Sequence, residues 1–474
     1  RDDRRVDLVL ASGRQQQVYA TRDAGGAHRL LPVVWSTTTR QWLPLSLYQP
    51  ADVDPASPRW WGAGEMTRTC LGCHLGQVHR VVGAGGGRTA WIDLSINCES
   101  CHGPGREHVA RRRAGRTDEV LRDLAKLGSA EEARVCGACH GLQLHPYALP
   151  RAADGLPDVA VASLAATSLR PDGTQRLTSY QYTGHVLTGG YRMELMTCND
   201  CHQPHALTAR NRKGASAEGD QVNVQCTVCH PDRATPAGLT AHSHHTPKTT
   251  CIDCHMPYTW IGDDDRRHQR TADHSISSAH PRETLELGIP NACNSCHRDK
   301  DPQWSLAALQ RWGKQGNLGL RPWVQAIAAG RRTSADASER LYALLTDRDT
   351  GTYLRISALD LLALQPPDDR IAAAAEARAA DPDPQLRAAA LRALDRHDPA
   401  ELTPAALDRA LADVLAFQSP PTEGLLRLID LRRRRGELAE ALALLDLLDR
   451  ISVPWERARP DFAALRARIE AGSE

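Results

Sequence analysis

The sequence contains few aromatic residues and no long apolar run. Phenylalanine occurs twice in 474 residues, and all aromatic residues together make up 4% of the chain. No stretch of about 18 apolar residues occurs, so no transmembrane helix is predicted. The formal net charge is +1, which gives no electrostatic argument for a nucleic-acid partner. A chain this poor in aromatic side chains has little material of its own for a large conventional core.

Cysteine occurs in one kind of sequence motif only. The 14 cysteines all belong to the pentapeptide Cys-x-x-Cys-His, and none is left over. We number the copies motif 1 to motif 7 in chain order: Cys70/Cys73/His74, Cys98/Cys101/His102, Cys136/Cys139/His140, Cys198/Cys201/His202, Cys226/Cys229/His230, Cys251/Cys254/His255 and Cys293/Cys296/His297.

This pentapeptide is the attachment signal for c-type haem. Its two thiols bond covalently to the haem, and its histidine is the proximal ligand of the iron. Zinc sites also use Cys-x-x-Cys pairs, and disulfides need no such spacing. Neither alternative requires a histidine after every second cysteine, yet here one follows in all seven copies. The sequence therefore predicts seven covalently bound haem c groups, which would supply the missing apolar volume.

Three segments differ in composition. Residues 1–60 hold short β-branched or aromatic stretches and predict a small β-rich unit. Residues 61–312 hold all seven motifs and predict a haem-packed cytochrome c domain of short helices and long loops. Residues 320–474 are rich in Ala, Leu and Arg at helical spacing. The fold class predicted is mainly α with extensive loops.

The third segment contains an internal repeat. The stretch from Leu354 to Leu362 matches the stretch from Leu386 to Leu394, with Leu, Arg, Ala, Leu and Leu in register. The stretch from Gly436 to Leu445 resembles a tetratricopeptide helix. These features predict α-solenoid-like HEAT or tetratricopeptide repeats that bury leucines and expose arginines. An ordinary helical bundle is the alternative. The run from Arg432 to Arg435 is interpreted as a solvated helix face, with a docking patch as the alternative.

Each haem has room for a second axial ligand. Of the 20 histidines, those outside the motifs are sufficient to supply one to every haem. His205 is too close to His202 to fold back over its own haem, His108 follows a Gly-Pro-Gly turn, and Asp273 is expected to orient His274. In the cluster His242, His244 and His245 at least one ligand is expected, without a decision between them. The predicted distal ligands are His79, His108, His145, His185, His205, His245 and His274.

Two groups of multihaem cytochromes resemble this chain over roughly residues 60–312. The stretches from Cys70 to His74 and from Cys98 to Gly105, with 123–126 ahead of motif 3, resemble the tetrahaem cytochromes of ammonia oxidisers, in the hydroxylamine-oxidoreductase-like family. The later motifs are similar to bacterial multihaem cytochromes that end in HEAT or tetratricopeptide repeats. In the tetrahaem relatives the haem that matches motif 1 can lack a sixth ligand. The resemblance therefore leaves that haem either five-coordinate or ligated from elsewhere.

These features favour a protein that transfers electrons through closely packed haems with two histidine ligands each. One alternative is a subunit of an extracellular conductive cytochrome filament, which makes a homopolymer possible. A lesser alternative is a redox enzyme acting on a nitrogen or sulfur compound at a five-coordinate haem. The stretch from Cys254 to Tyr258 resembles pentahaem nitrite reductases, but their catalytic Cys-x-x-Cys-Lys motif is absent from the sequence.

The expected partners are redox proteins or neighbouring subunits, with no nucleic acid. Covalent haem attachment takes place outside the cytoplasmic membrane, so a periplasmic, cell-surface or extracellular location is expected. No signal peptide is visible at Arg1, and we expect the numbering to start at a mature or trimmed N-terminus.

Overall fold

The computed structural model describes most of the chain. The described residues are 5–11, 16–22, 28–45, 71–76, 79–83, 86–117, 119–141, 163–166, 168–176, 181–205, 208–209, 221–261, 269–379, 381–397, 428–430, 432–451 and 460–471. They group into two compact units. The first lies within Arg1–Arg122, Gln143–Ala160 and Leu359–Glu474, and the second within Asp123–Leu142 and Val161–Ala358. The second unit contains motifs 3 to 7.

The predicted N-terminal β structure is confirmed as a four-stranded antiparallel sheet. Its strands follow one another in the order β1 to β4, each paired with the next. The strands are β1 (Leu8–Leu10), β2 (Gln16–Arg22), β3 (His28–Ser36) and β4 (Gln41–Pro44).

Motif 1 packs on this sheet. The buried side chains of Ala20 and Val34 form a cluster with Leu71, which lies between the two cysteines of motif 1, and with Leu75, which follows the motif. His28 is partly buried, with its ring centre 5.1 Å from that of Trp91. The small sheet is therefore a support for the first motif.

Short helices dominate the segment that carries the motifs, as predicted. In the first unit they are Leu71–His74, Glu99–His102 and Arg106–Arg113. In the second unit they are Ser129–His140, Gln181–Leu187, Gly189–Arg192, Gln221–Thr227, Pro236–Ser243, Cys251–His255, Pro281–Leu287 and Ala292–Cys296. The 3-10 turns are Leu124–Lys126, Cys198–Asp200, Pro231–Arg233 and Gln315–Asn317. The small hairpins are His79–Gly83 with Gly86–Ala90, His202–Gln203 with Thr208–Ala209, and Tyr258–Ile261 with Gln269–Ala272.

Longer helices follow motif 7, in the part of the chain that is rich in Ala, Leu and Arg. They are Pro302–Arg311, Pro322–Arg332 and Ala337–Thr346 in the second unit, Thr352–Leu362 at the boundary, and Asp369–Glu376, Pro384–His397, Leu438–Ile451 and Pro460–Glu470 in the first. The helices 322–332 and 337–346 pack on each other, as do 369–376 and 384–397. Among the described helices, none is long and apolar enough to cross a membrane.

The arginines of the internal repeat are not simply exposed, which corrects the sequence-based expectation. Arg387 is buried and donates hydrogen bonds to the carbonyl oxygens of Asp381 and Pro382, at 2.6 and 2.8 Å. Its counterpart Arg355 is partly buried and donates to the carbonyl oxygen of Asp347, at 3.0 Å. In both repeats the guanidinium therefore ties its helix to the turn that precedes it.

The basic run near the C-terminus is also not a solvated face throughout. Arg432 and Arg433 are buried, and they form ion pairs with Glu437 at 2.8 Å and with Asp430 at 3.1 Å. Ion pairing offsets part of the cost of removing these guanidinium groups from water. The expectation of a solvated helix face is therefore wrong for these two arginines.

Candidate haem-binding site

Several motifs begin in a turn that a neighbouring polar side chain closes. The backbone N–H of Thr197 donates to the Asp200 carboxylate at 2.8 Å in motif 4, and that of Thr250 donates to Asp253 at 2.7 Å in motif 6. The Asn291 side chain accepts from the backbone N–H of Asn294 at 3.3 Å in motif 7. Such capping satisfies donors that a short helical turn leaves unpaired. The two cysteines and the histidine are thereby held on one rigid turn.

Motifs 3 and 5 are built differently, because each includes the C-terminal part of a helix. The helix Ser129–His140 contains the whole of motif 3, and the helix Gln221–Thr227 contains the first cysteine of motif 5. Motifs 3 and 5 therefore lie at the end of a helix, whereas motifs 4 and 6 begin a helical turn.

Cysteines of consecutive motifs lie close together in the second unit. A hydrogen bond joins the thiols of Cys136 and Cys198, and, together with burial, it raises the pKa of Cys198. A corresponding bond joins Cys226 to Cys251 and raises the pKa of Cys226.

Two further electrostatic contacts extend this series. The nearby Cys201 helps to raise the pKa of Cys226. Burial is the main cause that raises the pKa of Cys254 to about 11, and electrostatic repulsion from Cys293 contributes. Motifs 3, 4, 5, 6 and 7 therefore form a spatial series in the same order as in the sequence.

The second cysteines of motifs 1, 2, 3 and 5 differ in exposure. Three of them are partly buried within motif helices, namely Cys73 in Leu71–His74, Cys101 in Glu99–His102 and Cys139 in Ser129–His140. Cys229 is exposed and lies just after the helix Gln221–Thr227. Since the described contacts do not test haem attachment at any motif thiol, the role of all 14 cysteines as covalent haem anchors stays a prediction.

The motif histidine of motif 5 is His230. It is exposed, and its backbone N–H donates to the carbonyl oxygen of Cys226 at 3.0 Å, which holds it one turn after the first cysteine of motif 5. Burial is the main cause of the lowered pKa of His255, and electrostatic repulsion from the nearby His230 lowers it as well. Within the described part of the chain, no ring contact brings a histidine from outside the motifs to His230. Its role as a proximal ligand also stays a prediction.

Three motif histidines each face a histidine from outside the motifs. His202 of motif 4 faces His274, with ring centres 6.1 Å apart and planes 22° from parallel. His255 of motif 6 faces His242, at 6.0 Å and 13°. His297 of motif 7 faces His245, at 6.0 Å and 47°.

These distances fit two imidazoles that ligate one metal from opposite sides. Two metal–nitrogen bonds of about 2 Å each, together with the two half rings, put the ring centres about 6 Å apart. Direct aromatic contact spans a similar range. The repeated combination of one motif histidine with one other histidine favours ligation, since aromatic packing has no reason to select that combination three times.

Hydrogen bonds orient six imidazoles through the Nδ1 atom. The acceptor is a backbone carbonyl for His102 (Arg122, 2.8 Å), His245 (Ser243, 2.6 Å), His255 (Ser277, 3.2 Å) and His274 (Ala272, 3.0 Å), and a side-chain oxygen for His108 (Glu119, 2.9 Å) and His140 (Gln181, 3.2 Å). A carbonyl oxygen only accepts, so Nδ1 carries the proton and the lone pair of a neutral ring lies on Nε2. That is the nitrogen and the tautomer that iron ligation requires.

The acceptor for His274 differs from the one expected. Its Nδ1 donates to the carbonyl oxygen of Ala272, whereas the carboxylate of Asp273 accepts hydrogen bonds from the backbone and hydroxyl of Ser275. The backbone therefore sets the orientation of this ring, and the expectation that Asp273 does so is wrong.

Burial keeps several of these rings neutral. It lowers the pKa of His274 to about 4 and that of His185 to about 4. Burial is also the main cause of the lowered pKa of His202, His242 and His255. Neutral imidazole is the form that ligates metals, so the pKa shifts agree with the geometry.

Two more of the predicted distal histidines have surroundings that suit a ligand. His108 lies in the helix Arg106–Arg113 and hydrogen-bonds to Glu119, whose pKa two backbone N–H groups lower to about 2. His185 is buried, and within the described part of the chain its Nε2 has no hydrogen-bond partner. A buried nitrogen without a partner is costly, which a bound metal would relieve.

The remaining predicted distal histidines are His79, His145 and His205. The His205 side chain is exposed. His79 opens a strand of the hairpin His79–Gly83 with Gly86–Ala90, and the placement of its side chain lies outside what the structure describes. His145 and Cys70 lie outside the described residues. The ligand roles of these histidines stay predictions.

The histidine cluster ahead of motif 6 separates into three different positions. His242 lies in the last turn of the helix Pro236–Ser243 and faces motif 6, while His245 faces motif 7. His244 caps that helix with a positive φ of 56° and stacks on Trp312, with ring centres 4.6 Å apart. The order of residues alone could not single out His242, because the end of the helix decides where each ring points.

Apolar side chains beside the motifs are exposed to solvent in the polypeptide alone. Ile92 and Leu94 are 68% and 70% exposed ahead of motif 2, and Met193 and Leu195 are 64% and 59% exposed ahead of motif 4. An apolar porphyrin would cover side chains of this kind and recover the free energy of their burial. The motif surroundings therefore fit haem.

Comparisons with known proteins add little to this geometry. No family model matches the chain, and no curated protein matches it. The crystal structure of the outer cell wall cytochrome OcwA matches with 17% sequence identity and a TM-score of 0.37, and the match covers 73% of this chain and 82% of that chain. A TM-score of this size does not establish a common fold.

Proposed function

We propose that this chain is a heptahaem c-type cytochrome that transfers electrons along a series of closely spaced haems. The observation that carries the proposal is the set of three facing histidine pairs, one for each of motifs 4, 6 and 7. The cysteine contacts that link consecutive motifs from 3 to 7 support it, because short distances between carriers are what electron transfer needs.

Each part of the chain has a role in this proposal. A bound haem supplies one-electron chemistry at its iron. The motif cysteines hold the group covalently, and the motif histidines serve as proximal ligands. His242, His245 and His274 serve as distal ligands, with Nδ1 of His245 and of His274 fixed by a backbone carbonyl. Burial lowers the pKa of His242 and of His274, which favours the neutral form of both rings.

The finer features of the protein also belong to this proposal. The chain comprises a β-rich unit at 1–60, a seven-haem domain at 61–312 and a solenoid-like helical region at 320–474 that docks a redox partner or a neighbouring subunit. The protein works in the periplasm or at the cell surface. The helix pairs that follow motif 7 are the surface available for docking, since the motifs themselves lie upstream.

Two measurements on the purified holoprotein test the proposal. Intact-mass spectrometry is expected to exceed the mass of the polypeptide by seven haem groups. Electron paramagnetic resonance of the oxidised protein is expected to show mostly low-spin ferric iron with two histidine ligands. Five or fewer haems would contradict the stoichiometry. A spectrum dominated by high-spin iron would favour catalysis at open haems instead of electron transfer.

A further inference from the structure

Motifs 3 and 4 and motifs 5 and 6 share one construction. In each pair the helix that carries the earlier motif presents a hydrogen-bond acceptor about one turn before its first cysteine. The acceptor is Glu132 for motif 3, four residues before Cys136, and Asn223 for motif 5, three residues before Cys226. Residues three or four apart share a helix face, so acceptor and cysteine point the same way.

In both pairs the acceptor binds the backbone at the start of the next motif. The Glu132 carboxylate accepts from the backbone N–H of Cys198 at 2.5 Å and from that of Asn199 at 2.9 Å. The Asn223 side-chain oxygen accepts from the backbone N–H of Cys251 at 2.9 Å. These amides are among the first of a short helical turn and have no partner within it.

The same contacts bring the first cysteines of each pair together. Cys136 meets Cys198, and Cys226 meets Cys251, each through a thiol hydrogen bond. Glu132 is 1% exposed, and the two N–H groups that it binds offset part of the cost of removing its carboxylate from water. A buried carboxylate in that position is costly unless those bonds are made.

We propose that Glu132 and Asn223 are positioning residues that fix the distance and orientation between the two haems of a pair. The chain then contains two di-haem modules, motifs 3 with 4 and motifs 5 with 6, each locked by one side chain. This inference deepens the proposed electron-transfer function and rests on it. The haems of a module are expected to couple electronically more strongly than other haems of the chain.

Circular dichroism in the Soret region tests the inference, because closely spaced haems give a signal of two opposite lobes. The wild-type holoprotein is expected to show that couplet. Glu132→Ala and Asn223→Ala are each expected to remove about half of it, and the double variant nearly all, since separate modules act independently. Glu131→Gln alters an exposed neighbour on the same helix and is the matched control.

Conservative variants separate positioning from general loss of structure. Asn223→Asp keeps the accepting oxygen and is expected to restore the couplet, while Glu132→Gln keeps one acceptor of two and is expected to give an intermediate signal. If Glu132→Ala yields no holoprotein, Glu132→Gln is compared with wild type alone. Unchanged couplets in variants that retain every haem overturn the inference, as does a wild type without a couplet. A wild type with five or fewer haems overturns the proposed function instead.

Discussion

At the residue scale, three neighbouring histidines have three different surroundings. His242 faces the ring of His255, His245 faces the ring of His297, and His244 stacks on Trp312. Only the first two are therefore placed to complete an iron site. His244 serves as a matched control, because it has the same side chain and lies between the other two in the sequence.

Substitutions in this cluster make a direct prediction. His242→Ala and His245→Ala are each expected to convert one haem from low spin to high spin, because each removes one distal nitrogen and leaves the covalent attachment intact. His244→Ala is expected to leave every haem low-spin. Electron paramagnetic resonance with spin quantitation measures the change. A high-spin signal in His244→Ala, or none in the other two variants, would show that the ligands have been assigned incorrectly.

The sequence reveals proximal ligands far better than distal ones. A motif histidine follows its cysteines directly, so covalent chemistry alone identifies it. The proposed distal ligand His274 lies far along the chain from His202, and only the fold brings the two rings together. The sequence indicated His274 through the neighbouring Asp273, which does not bind its ring, and it left the choice among His242, His244 and His245 open. That choice stayed open because the end of the helix and the positive φ at His244 cannot be seen in the order of residues.

At the scale of the element, the internal repeat was detected from leucine and alanine spacing, and these positions are buried as predicted. Leu359 and Leu362 are fully buried, as are Ala390 and Leu394 of the second copy. The arginine shared by both copies was interpreted as exposed. Helical periodicity places a residue on a face, but it does not reveal a carbonyl group within reach of a long side chain.

The repeat arginines predict a measurable local effect. Arg387→Ala removes a buried guanidinium from the carbonyl oxygens of Asp381 and Pro382, which is expected to cost about 1.5–3 kcal/mol. Hydrogen exchange in the helix Pro384–His397 is expected to become faster by about tenfold or more. Arg370→Ala is the control, because Arg370 is largely exposed and its ion pair with Asp368 lies at the surface. Equal effects of both substitutions would show that the guanidinium bonds add no stability.

At the scale of the whole molecule, the helices after motif 7 belong partly to the unit that holds motifs 3 to 7. Arg321 precedes the helix Pro322–Arg332 and pairs with Glu283 at 2.7 Å and with Asp172 at 3.4 Å. Ser305, in the helix Pro302–Arg311, hydrogen-bonds to Asn294 within motif 7 at 3.0 Å. Composition alone predicted that helical repeats follow motif 7, but it cannot reveal ion pairs between distant parts of the chain.

Arg331 provides the sharpest test of this packing within the second unit. Its guanidinium donates to the carbonyl oxygens of Leu164, Ala166 and Leu169, at 2.6, 3.0 and 2.7 Å. Burial lowers its pKa to about 10, so the group stays charged at neutral pH. One side chain therefore satisfies several carbonyl groups of an irregular stretch of backbone.

Arg331→Ala is expected to destabilise the second unit by about 3 kcal/mol, because the carbonyl oxygens lose a charged donor and are left without these hydrogen bonds. Urea unfolding of the holoprotein, followed by visible circular dichroism of the haems, is expected to show a midpoint lower by about 1 M. Arg340→Ala is the control, since Arg340 is exposed and forms a surface pair with Asp336 that contributes little to stability. The haem count by mass is expected to stay unchanged in both variants. If Arg331→Ala unfolds at the wild-type urea concentration, the helix Pro322–Arg332 contributes no support to the haem-carrying unit through this residue.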